Sequence, residues 1–154
     1  MKILQSTIIK LNPKIFLIVN FLVAGIIFSL SLNSSFPDQN DYLALAESIL
    51  NGKFSSYFFL ENYYPATLRS PGYPLFLASI LAIFQTSLFV KYAQLFLYFF
   101  SIILSVKIIE KLSESQLSQY IFIALSTICI QIPYYSALIS TESLTIFIII
   151  LNIY

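Results

Sequence analysis

The sequence predicts an all-α, polytopic bundle of transmembrane helices. Three observations carry that expectation. The chain of 154 residues is 58% hydrophobic and 10% charged, with a mean hydropathy of +0.86, whereas a soluble domain carries roughly 25% charged residues. Ile15 to Leu32 runs 18 residues without a charge. Tyr73 to Val106 runs 34 residues interrupted only by Lys91. So much apolar surface cannot be hidden in one small globular core.

Composition also excludes whole classes. A net charge of +1 offers no basic field for nucleic acid, so no nucleic-acid partner is expected. There is no histidine, and Cys129 is the only cysteine. A disulfide within the chain is excluded, and neither a His/Cys metal site nor a cofactor is expected. Cys129 stands in an apolar run and is expected to pack there.

Residues 1–14 carry Lys2, Lys10 and Lys14 and no acid, which holds the N-terminus in the cytoplasm. Residues 15–32 resemble a signal peptide, but the run exceeds the 7–15 residues of a signal core and approaches the ~20 needed to span a bilayer. It is expected to stay as the first transmembrane helix, with Asn20 turned toward the bundle. Residues 33–72 then form an extracytoplasmic loop. Asp38, Asp41, Glu47, Lys53, Glu61 and Arg69 lie in it, six of the chain's fifteen charged residues.

Within that loop Tyr42, Leu45, Ala46, Ile49 and Leu50 recur at helical spacing, which predicts an amphipathic juxtamembrane helix over 39–51 lying flat at the membrane surface. Gly52 follows as its C-cap residue. Asp38 stands where an N-cap would be, and its carboxylate can serve the first free amides. It also projects about 40° from Tyr42, toward the apolar face, where withdrawal from water suits a general base. Both roles stay open. Asp41, about 100° from Tyr42, is the alternative base. The aromatic run from Ser55 to Tyr64 reads as an interfacial belt.

Arg69 precedes Pro71-Gly72-Tyr73-Pro74, a turn that starts the next helix sharply. It is either a headgroup anchor or a clamp, since a guanidinium binds two phosphate oxygens at once. Tyr42 and Tyr73 are candidate substrate contacts in the same region.

The 34-residue run would be about 51 Å long as one helix, against a ~30 Å hydrocarbon core. The expected solution is a short or re-entrant helix over 73–86 and a full span over 88–108. Lys107 and Lys111 then lie in the cytoplasm. A helix over 119–139 returns outside, and 143–154 begins a further helix that stops in mid-span. Glu142 then lies on the same side as Asp38. A competing count, with 73–85 as a full span, puts them on opposite sides, and the first is preferred. Glu142 either complements a helix dipole or serves function, as acids in apolar settings usually do.

Asp38-x-x-x-Tyr42-x-x-Leu45-Ala46, Gly52, the run Arg69 to Ala78, Gln94, Pro133 and Thr141-Glu142-Ser-Leu144 together resemble the first part of the C-type glycosyltransferase superfamily. The similarity is to bacterial protein mannosyltransferase-like and aminoarabinose-transferase-like enzymes of the plasma (inner) membrane, and it covers about residues 15–154. It implies a polyprenyl-phosphate sugar donor and an envelope lipid, glycan or protein hydroxyl as acceptor. Transfer would invert the anomeric centre. Asp38 would be the general base, Arg69 a contact to the leaving phosphate, and Glu142 a second acid. Gln39 departs from the small residue frequent after the loop aspartate. Such enzymes have about ten or more membrane helices, so this chain is expected to be an N-terminal fragment, inactive alone. The competing expectation is a non-enzymatic polytopic protein, a transporter part or assembly subunit, with polar residues forming a path along the helix interiors.

Overall fold

The computed structural model describes residues 12–55, 69–113 and 115–154. They form seven helices and no strand: α1 (Pro13–Ser31), α2 (Gln39–Leu50), α3 (Gly72–Phe84), α4 (Ser87–Leu112), α5 (Gln116–Ile128), α6 (Gln131–Ser136) and α7 (Glu142–Ile153). The aromatic run predicted as an interfacial belt falls, from Ser56 to Tyr64, outside the described residues.

Local chemistry sets the helix ends. The Asn12 side chain accepts the Lys14 amide at 3.0 Å, and Pro13 heads α1, where its missing N–H costs nothing. Thr86 caps α4 by accepting the Leu88 amide at 3.3 Å. At the end of α2, Gly52 takes φ +71, its amide donates to Ile49 and the Lys53 amide to Ser48. That pair of bonds is the left-handed helix stop expected of Gly52.

α1 and α4 are the two helices among the described residues long and apolar enough to cross a membrane. Their 19 and 26 residues give about 28 and 39 Å. α3, with 13 residues, is about 20 Å long. That falls short of a bilayer core, as the sequence predicts. Gln85, left-handed at φ 55, ends it, and α3 folds back along the first turns of α4. Phe84 stacks on Phe89 at 4.3 Å, and Tyr73 reaches Gln94.

The helix expected over 119–139 is broken. α5 stops at Ile128, Cys129 leaves the helical region at ψ 74, and α6 restarts at Gln131. Pro133 is the cause: it has no N–H to give the carbonyl of Cys129, and its ring would clash there. Cys129 is consequently exposed at the break and not packed as expected.

Contacts fix the directions. Phe28 of α1 meets Tyr92 of α4 at 5.4 Å between rings, while Asn20 meets Tyr98, so α1 and α4 are antiparallel. Phe16 meets Tyr120, and Asn20 meets Ser126 and Thr127, so α5 runs with α1. Gln94 lies by Ser140 and Lys111 by the Tyr154 ring, so α7 runs with α4.

The two long helices bury polar side chains among apolar ones and expose large apolar side chains. α1 buries Asn20, Ala24, Phe28 and Ser31 and exposes Ile18, Leu22, Ile26 and Leu30. α4 buries Lys91, Gln94, Tyr98 and Ser101 and exposes Phe96 and Phe100. This is the distribution expected where the surroundings are hydrocarbon and polar groups must pair within the protein. Asn20 is the knot of the α1–α4–α5 contact. It accepts from the Tyr98 hydroxyl at 3.1 Å and donates to Ser126 and Thr127 at 3.1 and 3.0 Å.

Ser126 and Thr127 also donate to the carbonyl of Ile123, so Asn20→Leu orphans chiefly the Tyr98 hydroxyl. We expect it to destabilise the bundle by about 1 kcal/mol, read by denaturant unfolding in detergent micelles. Adding Tyr98→Phe should recover most of that loss, and independent, additive losses would contradict the network.

Candidate functional site

Asp38 ends the connector from α1 and stands at the N-cap of α2. Its carbonyl accepts the Tyr42 amide at 3.2 Å, but its side chain makes no capping bond to the helix. The carboxylate turns outward to Arg69 at 2.9 Å. The expectation that Asp38 faces the apolar side is therefore corrected. Its side chain is 39% exposed and ion-paired, because the guanidinium is a stronger partner than free helix amides.

Arg69 comes to this point because Pro71 and Pro74 fix the start of α3. Pro71 holds the N-cap position, and its carbonyl accepts the Leu75 amide at 2.9 Å. The guanidinium also lies 3.7 Å from Asp41 and 5.1 Å over the Tyr42 ring. Partial burial works against its charge, but Asp38, Tyr42 and Asp41 outweigh that and raise its proton affinity. It is a permanent cation held between two acids on an aromatic face.

Beneath it, α2 packs on α3. The Tyr42 ring meets Tyr73 edge-on at 4.9 Å, within a core that includes Ala46, Leu77, Ala78, Val90 and Ile139. The amphipathic face of α2 thus lies against protein through Tyr42, Leu45 and Ala46, while Leu50 is exposed. The Tyr73 hydroxyl reaches the Gln94 carbonyl at 3.4 Å, and the Gln94 amide donates to the carbonyl of Ser140 at 3.0 Å. Two residues later Glu142 opens α7. Its Oε2 atom is buried with no hydrogen-bond partner among the described residues.

A continuous set of contacts therefore runs from Asp38 through Arg69, Tyr42, Tyr73, Gln94 and Ser140 to the start of α7. Asp38 and the start of α7, where Glu142 stands, thus lie at the two ends of one set of contacts. Five of the six residues singled out in the sequence (Asp38, Asp41, Tyr42, Arg69 and Tyr73) meet here, while Glu142 stands two residues beyond Ser140 at the start of α7. Among the described residues no group of three or more Asp, Glu, Cys and His lies close enough to hold a metal ion.

Sequence reasoning missed the buried Lys91, whose ammonium donates to the carbonyls of Leu32 and Ser34 at 2.6 and 3.2 Å. Its signal was present, a single charge inside a long apolar run. It also missed that Gln39 turns its Oε1 atom inward beside Asp38, where it is buried with no partner among the described residues. Comparison with known proteins finds no match for this chain among family models, curated proteins or solved structures.

The two halves of the site should answer differently to mutation. Gln94→Leu leaves the buried Tyr73 hydroxyl and Ser140 carbonyl unpaired and should cost about 1–3 kcal/mol. Asp38→Asn should barely move the unfolding midpoint, because a half-exposed ion pair is screened. Detergent unfolding curves check this, and the reverse order would contradict the geometry.

Proposed function

We propose that this chain carries the donor-phosphate and base side of a polytopic membrane glycosyltransferase, which moves a sugar from a polyprenyl phosphate to an extracytoplasmic hydroxyl. One observation carries the reading most: the only arginine of the chain is held between two carboxylates over an aromatic ring at one end of an inside-out bundle. The order of the motifs along the sequence supports it as well. Lys14, at the opposite end of α1, supports an extracytoplasmic placement of this end.

The chemistry follows from the pair. Asp38 takes the proton of the acceptor hydroxyl as that oxygen attacks the anomeric carbon. The carbon–phosphate oxygen bond breaks on the opposite face, which inverts the centre, and polyprenyl phosphate leaves with the bonding electrons. Arg69 meets the charge that develops on the phosphate, the kind of stabilisation that usually lowers a barrier most. Asp38 and an incoming phosphate compete for the same guanidinium. A bound donor therefore draws Arg69 from Asp38 and leaves the carboxylate free to accept a proton. Glu142, at the start of α7, is the second acid of this reading.

The test is ligand retention by the purified chain in lipid nanodiscs, read by native mass spectrometry. Short-chain polyprenyl phosphate should be retained in preference to the matching polyprenol. Arg69→Ala should weaken that preference about tenfold, and Asp38→Asn should preserve or strengthen it. Equal retention of phosphate and alcohol, or an Arg69→Ala variant like the parent, would overturn the proposal and favour a non-enzymatic membrane subunit.

A further inference from the structure

We infer that Lys91 is the positioning residue for Asp38: a buried ammonium on α4 that pins the connector in front of α2 and so aims the carboxylate at Arg69. Lys91 is 7% exposed. Among the described residues the ion pairs involve only Arg69, and the Lys91 ammonium instead donates to two backbone carbonyls, Leu32 at 2.6 Å and Ser34 at 3.2 Å. Burying an ammonium away from water is costly, and Leu or Met would fill the same place without that cost. The cost is offset because the last carbonyls of α1 have no partner within the helix, and a cation there also meets the negative end of the helix dipole.

The two carbonyls mark where the chain leaves α1. Leu32 is its C-cap. Ser34 follows, its amide bonded to Ser31 at 2.9 Å, and a turn from Phe36 to Gln39 closes at 3.0 Å. Asp38 sits inside that turn, four residues beyond the last carbonyl Lys91 holds. With both anchors fixed, the Asp38 side chain emerges toward Arg69 and not toward its own helix amides. Gln94 lies one turn further along the same buried face of α4 and fixes Tyr73 and Ser140. α4 therefore holds the site at two points, Lys91 for the acid-bearing connector and Gln94 for the start of α7.

The consequence for catalysis rests on Asp38 being the base, but the positioning itself needs no substrate to test. Arg69, as the only arginine, can be followed by its rate of modification with phenylglyoxal, which is slowed when the guanidinium is ion-paired. Asp38→Asn should speed that reaction several-fold. Lys91→Met should speed it equally, and the double variant no further, since both act on one pair. Lys91→Arg should restore the slow rate at residue 69. Amide exchange in α1 and α5 should stay at the level of the parent, showing that the bundle is intact. Unchanged reactivity of Arg69 in Lys91→Met would overturn the inference, as would an effect that adds to Asp38→Asn. If Lys91→Met fails to accumulate, Lys91→Gln keeps a donor but loses reach, and a parental rate in that variant would be equally fatal. Failure of polyprenyl-phosphate retention would remove the proposed function and leave this result standing.

Discussion

A polar side chain inside an apolar bundle has no water to turn to, so its partner must come from the protein. α4 carries four such side chains on one face, Lys91, Gln94, Tyr98 and Ser101. Lys91 holds the end of α1, Gln94 holds the start of α3 and the approach to α7, and Tyr98 holds Asn20 in the middle of α1. Ser101 closes on its own helix at the carbonyl of Leu97. In an apolar setting dispersion alone fixes helix positions poorly, and hydrogen bonds of this kind select one arrangement from many. The geometry around Asp38 and Arg69 is the downstream result of that selection.

The same stripe bears on the competing view of the chain as part of a transporter. A substrate path needs polar groups that face an open interior. Here Lys91, Gln94, Tyr98 and Ser101 are each bonded to protein, and the cavity lined by Tyr98, Ser101, Ser105, Ser126 and Cys129 is completed by apolar side chains such as Ile102, Phe122, Ile146 and Ile150. The polarity serves to join helices. Arg69, Asp38 and Asp41 stay partly exposed where α2 meets α3.

Much of this was legible in the sequence because it depends on local pattern. The uncharged run ending at Leu32 gave α1, the spacing from Tyr42 to Ile49 gave α2, and Gly52 marked its stop. The length of the run from Tyr73 required a short helix before α4. Other features depend on what arrives from elsewhere in the chain. Asp38 carries the local signature of a helix cap, and only the approach of Arg69 turns it away. The break at Pro133 was not read from the sequence, since whether a proline kinks or breaks a helix depends on what takes over the freed carbonyls. Lys91 looked like an interruption because its partners are backbone atoms, and backbone acceptors leave no mark in a sequence.

The claim that Asp38 and Glu142 share one aqueous rim of a membrane underlies the whole account. It is tested most directly by single cysteines introduced at Ser35, beside Asp38, and at Glu142, in a Cys129→Ser background, and exposed to a membrane-impermeant thiol reagent in intact and in permeabilised cells. Labelling of both positions from outside is the expected result. Labelling of position 142 only after permeabilisation would put the two acids on opposite faces and dissolve the proposed site.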